Sequence, residues 1–301
     1  MRMQPGIASL RPVAPAPRDA SPALDAGAWF EAPTPFGPLR LCAFTGTPVR
    51  HAADAALALF RCETLLDPLQ AWSALPLDWR WLAAPGQRLS AATHGCARWQ
   101  RRRDGSVGSP EAMCLVSAPW PLLRSMAPPP AELAAILRWQ LLPVVLSASH
   151  FRLEEDELAL VEPGGAIVLP DSLQAPWRGR LRGAAETPLA GLGASVTLDS
   201  PTAARLVRGH AGGVAGSSEG RDPRVACEVR LAMPHPLPAD RLTGWLDEEA
   251  LPLAGAQASL WCSPDPREPA LCLAEGRLMP WGDGWALAVE TLRRFGGRAA
   301  S

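Results

Sequence analysis

The chain is 301 residues long, 48% apolar, and sets 29 basic against 30 acidic side chains for a net charge of −1. That balance excludes a dedicated nucleic-acid binder, which carries a basic excess or stripe, and the apolar share excludes a chain disordered throughout. No apolar run reaches the roughly 18 residues that span a bilayer; the best, Leu133 to Leu146, is broken by Arg138, Gln140 and Pro143.

Residues 1–26 are rich in Pro, Ala and Arg without periodicity and read as a disordered arm. They open Met1-Arg2-Met3-Gln4-Pro5, without the basic-then-apolar order of a secretory signal, so a cytoplasmic location is expected. Residues 27–140 read as an α+β N-terminal domain. Phe36 to Phe44 alternates like a strand, and Ala52 to Trp72 spaces Leu57, Phe60, Leu65, Leu69 and Trp72 like one face of a helix. Leu77 to Leu82 returns to a two-residue period. Ala97 to Arg103 and Ala112 to Trp120 read as strands around Asp104-Gly105. Ala131 to Gln140 reads as a helix, announced by Pro128-Pro129-Pro130 and by Glu132 in its first turn.

Beyond residue 140 the chain repeats itself. With one residue deleted, Val144, Leu146, His150, Leu153, Asp156 and Leu158 fall on Val229, Leu231, His235, Leu237, Asp240 and Leu242. The first copy closes through Trp177-Arg178-Gly179-Arg180-Leu181 and Ala194 to Leu198, the second through Glu275-Gly276-Arg277-Leu278 and Trp285 to Glu290. The expected boundaries are 141–205 for the first repeat, 206–224 for a Gly-rich linker, 225–293 for the second repeat and 294–301 for a tail. A domain of this size hides only about 60% of its unfolded surface and is marginal alone. The two copies are therefore expected to pack as a pseudo-symmetric pair, giving an α+β domain followed by two small β-rich domains. The residues expected to carry that pairing, or a partner contact, are Val144, Leu146, Leu158 and Ile167 in the first copy and Val229, Leu231, Leu242 and Val289 in the second. Trp281 and Trp285 join them, because four indoles in one small repeat are hard to hide and Trp anchors interfaces.

The order of elements is an alternating strand, an L-x-x-x-x-L turn of helix, Pro163-Gly164, the apolar strand Ala166 to Leu169, and then G-R-L before Gly282-Asp283-Gly284 and Trp285 to Val289. This order resembles the SpoA domain. Two such domains in tandem after an N-terminal region resemble the cytoplasmic-ring, or sorting-platform, family of bacterial type III secretion systems (SctQ, HrcQ, YscQ). Cys62 to Trp72 looks like the helix and Trp of that family's first domain. The chain departs from the pattern at Gly165, where an acidic residue is usual, and at Asp247 to Pro252, which replaces the second Pro-Gly turn. The resemblance implies a non-catalytic scaffold without cofactor, nucleic-acid partner or small-molecule substrate. It would lie in the cytoplasm, peripherally on the inner-membrane secretion apparatus. Implied partners are further copies of itself, a stator-like regulator of the export ATPase, other sorting-platform and inner-membrane-ring proteins, and effector–chaperone complexes. The flagellar switch proteins FliM and FliN share the domain and give the alternative. The chain shows no short amphipathic response-regulator-binding motif at its N-terminus, which favours secretion.

Other signals carry less. Gly216-Ser217-Ser218-Glu219-Gly220 matches the nucleophile elbow and makes a serine hydrolase using Ser218 a third reading, but the elbow needs a strand before it and a helix after it. Gly191-Leu192-Gly193 lacks the third glycine of a dinucleotide loop. Seven scattered cysteines without C-x-x-C fit neither zinc nor a disulfide framework. His150 and His235 hold matching repeat positions and could pair. Glu154 to Glu157 complements a helix dipole. Arg98 with Arg101, Arg102 and Arg103 reads as a solvated hairpin.

Overall fold

The computed structural model describes residues 27–45, 49–82, 94–101, 112–183, 193–210, 224–263 and 270–293. The N-terminal region is built on a six-stranded antiparallel sheet. Its strands are β1 (Gly27–Ala32), β2 (Leu39–Phe44), β3 (Arg80–Leu82), β4 (His94–Arg101), β5 (Ala112–Pro119) and β6 (Leu137–Trp139), in the order β3-β1-β2-β5-β4-β6. The β1–β2 turn holds Gly37 at φ +110, a conformation that costs a residue with a Cβ dearly. Helices α1 (Ala52–Arg61) and α2 (Glu63–Ser73) lie on this sheet. Ala55, Ala58, Cys62, Leu65 and Leu69 face the core, whereas Leu57 and Phe60 are 52% and 67% exposed. The helical spacing was therefore read correctly as helix but with the wrong face at its start: two alanines, not the larger side chains, sit against the sheet.

The α+β assignment is overturned. Strands make up 51% of the described residues and helices 22%, in large antiparallel sheets. The helices other than α1 and α2 are short. α3 (Trp120–Ser125) and α4 (Ala131–Ile136) each span six residues. The helix expected to reach Gln140 stops at Ile136, because Leu137, Arg138 and Trp139 pair with Trp99, Arg98 and Ala97 of β4. Pairing with an existing sheet edge overrides the local helical pattern, as tertiary context commonly does.

The two repeats, expected to pack as a pseudo-symmetric pair, meet in one shared sheet. The remaining strands are β7 (Leu141–Leu142), β8 (Val144–Leu153), β9 (Ala166–Val168), β10 (Trp177–Gly183), β11 (Gly193–Ser200), β12 (Ala203–His210), β13 (Val225–Ala232), β14 (Leu237–Pro238), β15 (Ala250–Pro252), β16 (Gln257–Ser263), β17 (Leu271–Trp281) and β18 (Gly284–Leu292). Ten of them make one sheet in the order β15-β12-β11-β10-β8-β13-β16-β17-β18-β9. β12 continues to His210, past the boundary expected at 205. Helix α5 (Glu155–Ala159) follows β8.

Each repeat contributes five strands to this sheet, and the order reads the same from either end once β8 is matched with β13, β9 with β15, β10 with β16, β11 with β17 and β12 with β18. The short middle strands are exchanged. β9 of the first repeat closes against β18 of the second, and β15 of the second against β12 of the first. Neither repeat contains the edge strand that completes its own outer strand. A 60-residue unit buries too little surface to stand alone, and the exchange resolves this by giving both repeats one core. Buried apolar residues form one continuous cluster from Ala28 to Val289.

Candidate docking faces and the repeat interface

The pseudo-dyad lies between β8 and β13. Leu146 and Leu231, equivalent residues of the two repeats, stand directly opposite one another, and they are 0% and 1% exposed. Burying a leucine of this kind contributes about 1.5–3 kcal/mol. Two residues further along, at Ala148, the register shifts by a bulge, so that Ser147 faces Arg230 while Ser149 faces Val229. A bulge leaves a residue without its ladder bond; here the indole Nε1 of Trp177 donates to the Ala148 carbonyl at 2.8 Å. Trp177 in turn stacks on Trp285 of the other repeat, ring centroids 6.5 Å apart.

The other residues singled out from the sequence fall as follows. Val144 is buried opposite Gly183, and Val229 is buried on β13. Ile167 faces Leu287 across the exchanged β9–β18 pair. Val289 is buried; its N–H donates to the Gly165 carbonyl at 2.9 Å and its carbonyl accepts from Gly164 at 2.8 Å. The Trp285 N–H donates to Ser172 Oγ at 2.8 Å. Leu242 is buried, Leu158 is half-buried beside the core, and Trp281 at the β17–β18 hairpin is 49% exposed. Leu146, Leu231, Ile167, Val289 and Trp285 thus meet partners from the other repeat; Trp281 meets solvent. His150 faces Glu228, whereas His235 stands in the exposed turn before β14. Arg98 lies on β4, while Arg102, Arg103, Ser218 and the linker motif around it lie outside the described residues.

Two features went unread in the sequence. The first joins the N-terminal sheet to the second repeat. The indole of Trp245 is 6% exposed and its Nε1 donates to the carbonyls of Leu123 and Met126, each at 3.0 Å. Trp72 and Trp139 meet it edge-on with centroids at 5.6 and 5.7 Å. Gly244, just before it, sits at φ +81 where a Cβ would meet the Gly209 carbonyl at 2.5 Å, so only glycine lets this turn reach β12. Beside this cluster, β7 pairs with β14, and the Ala239 N–H donates to the Gln140 carbonyl at 2.8 Å. Trp245→Ala is expected to cost about 3–5 kcal/mol and to speed proteolytic release of the N-terminal region. Urea unfolding and a trypsin time course check this; a variant cleaved no faster than the parent would show that the indole is not the fastener.

The second feature is a charge cluster on the outward face of the ten-stranded sheet at the dyad. Glu228 on β13, its side chain 12% exposed, is engaged by Arg182 of β10, by Ser147 of β8 and by Arg230, whose Nη2 lies 2.8 Å away. His150 Nε2 stands 3.6 Å from the same carboxylate. Arg230 lies over the Trp261 ring at 4.2 Å. Burial works against the charge on Glu228, but Arg182 and Arg230 overcome it and hold the carboxyl below its ordinary value. For His150, burial outweighs the pull of Glu228 and, helped by Arg182, lowers its pKa. The signal lay in the alternation Arg178, Arg180, Arg182, which a strand places on one face.

The seven cysteines are all free; Cys227 and Cys262 face each other on β13 and β16 with sulfurs 3.6 Å apart. Among the described residues no group of three His, Cys, Asp or Glu side chains converges as a metal site, and no helix is long and apolar enough to cross a membrane. No protein-family model matches the chain, and no curated protein matches it either.

Proposed function

We propose that the chain is a non-catalytic scaffold of the cytoplasmic ring, or sorting platform, of a bacterial type III secretion system. In this role it assembles with further copies of itself and docks the regulator of the export ATPase and effector–chaperone complexes at the inner-membrane apparatus. The observation that carries the reading is the interlocked repeat pair: two copies of one motif share a ten-stranded sheet around Leu146 and Leu231. Such a construction spends its apolar surface on holding two like units together and leaves broad faces outward. This suits assembly better than turnover of a small molecule, which calls for a concave site with convergent polar groups. The resemblance of the repeats to SpoA domains supplies the secretion context. Exposed Leu57 and Phe60 on α1 and Trp281 at the far hairpin add apolar contact points on other surfaces.

Deletion of the gene in its own host tests the reading. The scaffold reading expects loss of type III export with swimming intact, restored by the full chain and not by a Leu231→Arg variant. Loss of swimming with export intact points to the flagellar switch instead, and a strain normal in both respects refutes both.

A further inference from the structure

The ten-stranded sheet has two edges, β9 and β15, each paired through one flank only. The two stand in matching registers. Val289 donates to the Gly165 carbonyl and Leu169 to that of Trp285, so Gly165, Ile167 and Leu169 turn their main-chain groups to β18. At the other edge Leu206 donates to the Glu249 carbonyl and Leu253 to that of Thr202, so Glu249, Leu251 and Leu253 turn theirs to β12. The residues between them point their N–H and C=O groups outward: Ala166 and Val168 at one end, Ala250 and Pro252 at the other. Pro252 has no N–H to offer, a common way of blunting a sheet edge. Val168, its counterpart, keeps the donor. Neither Ala166 nor Val168 uses these outward groups in a hydrogen bond among the described residues.

The open edge borders a groove between the end of β8, α5 and β9. Phe151, Leu153, Val161 and Ile167 line it, half-buried against the core, while Leu160 is 79% and Val168 38% exposed. The surroundings are acidic. Glu154, Glu155, Asp156, Glu157 and Glu162 are all exposed, and none of them forms an ion pair among the described residues. Glu154 and Glu157 bond only to main-chain N–H groups, in a capping box. The basic side chains nearby already have partners: Arg152 and Arg224 each have one, Arg277 meets Glu290 at 3.4 Å, and Arg293 meets Glu275.

We propose that the β9 edge takes an added strand from a partner protein, an extended segment in which apolar and basic side chains alternate. Main-chain bonds to Ala166 and Val168 hold such a strand, and its side chains decide which partner fits. Alternate side chains of a strand point to opposite sides. Every second residue therefore enters the apolar groove, and the basic ones between meet the carboxylates at its rim. A second copy of this chain is a poorer occupant, because β9 against β9 brings two acidic α5 segments together. The same charge repels an anionic lipid surface. The inference stands whether or not the scaffold serves secretion, and its test uses purified protein, so either reading can fail without the other.

The full chain is titrated into a fluorescein-labelled peptide of alternating arginine and valine and followed by anisotropy. The expected result is saturable binding, reduced about tenfold or more by Val168→Pro. That substitution copies Pro252 of the other edge and spares the β18 ladder. Glu162→Arg, at an exposed position outside the ladder, is expected to weaken binding as well. The same peptide N-methylated throughout keeps its charge but loses every main-chain donor, and is expected not to bind. Five results would overturn the proposal: no saturable binding, equal binding by Val168→Pro, equal binding by Glu162→Arg, equal binding of the N-methylated peptide, or self-association through this edge. The last reads as a doubled mass in light scattering that Val168→Pro abolishes.

Discussion

Expressed by itself, the second repeat (residues 225–293) is expected to be a dimer, and to unfold when diluted below its dissociation constant. Without the first repeat, β13 loses its partner β8, and β18 loses β9. Leu231, Leu287 and Val289, all buried in the whole chain, would then stand at open edges, and β15 would have no β12 to close against. A second copy repairs every loss at once. β13 pairs with its twin about Leu231, where Leu146 stands in the intact chain, and each β15 takes the place of β9 on the other copy's β18. Coupling of folding to association makes stability concentration-dependent. Light scattering together with urea unfolding at several protein concentrations decides the matter, and a compact, stable monomer would disprove the interlocked arrangement. Leu231→Arg, which puts a charge at the dyad, is expected to leave this fragment unfolded.

Glu228→Ala carries the second large effect, a loss of about 3–5 kcal/mol out of a total stability of about 5–15 kcal/mol. The carboxylate sits between Arg182 and Arg230, with side chains 17% and 7% exposed. Truncation removes their counter-charge and leaves two sheltered guanidinium groups beside one another, which is worse than never having buried the cluster. The same geometry fixes the response to acid. The Glu228 carboxyl is held below its ordinary value, so its contribution is complete above about pH 4.3 and disappears as the pH falls towards the lowered value. His150 is also depressed, by burial first. The folded state resists its protonation, so stability already begins to fall below about pH 6.5. Acid unfolding should therefore show an upper slope removed by His150→Gln and a lower one removed by Glu228→Ala. Unfolding free energies measured from about pH 8 down to about pH 2 read both, and a profile unchanged by either substitution would refute the assignment.

The repeat was legible because equivalent apolar residues, Val144 and Leu146 on Val229 and Leu231, have to bury the same face twice. Their meeting across a dyad was not legible, nor was the exchange of β9 and β15. Ala166-Ile167-Val168 and Ala250-Leu251-Pro252 carry the same edge-strand pattern whichever repeat receives them, and a local pattern does not encode its partner. Trp245 is one of the four indoles crowded into the second repeat, yet its contact was not legible, since its neighbours Trp72 and Trp139 belong to a region that sequence spacing does not bring near. The Arg178-Gly179-Arg180-Leu181 stretch was read as a closing motif. Its electrostatic meaning appears only when Glu228 and Arg230 are placed two strands away. The fold class was misjudged for a simpler reason: the long periodic stretch from Ala52 to Trp72 dominates the eye, while many short strands each leave a weak trace.

The exchange of strands also sets the timing of synthesis. Ala166–Val168 leaves the ribosome long before Gly284–Leu292, to which it belongs, and the first repeat must wait with one side open until nearly the whole chain has emerged. During that interval its vacant edge accepts the matching strand of any neighbouring nascent chain as readily as its own. Polysomes translating this protein are thus places where two molecules can be born entangled, and slowing elongation before residue 284 should raise the yield of such pairs.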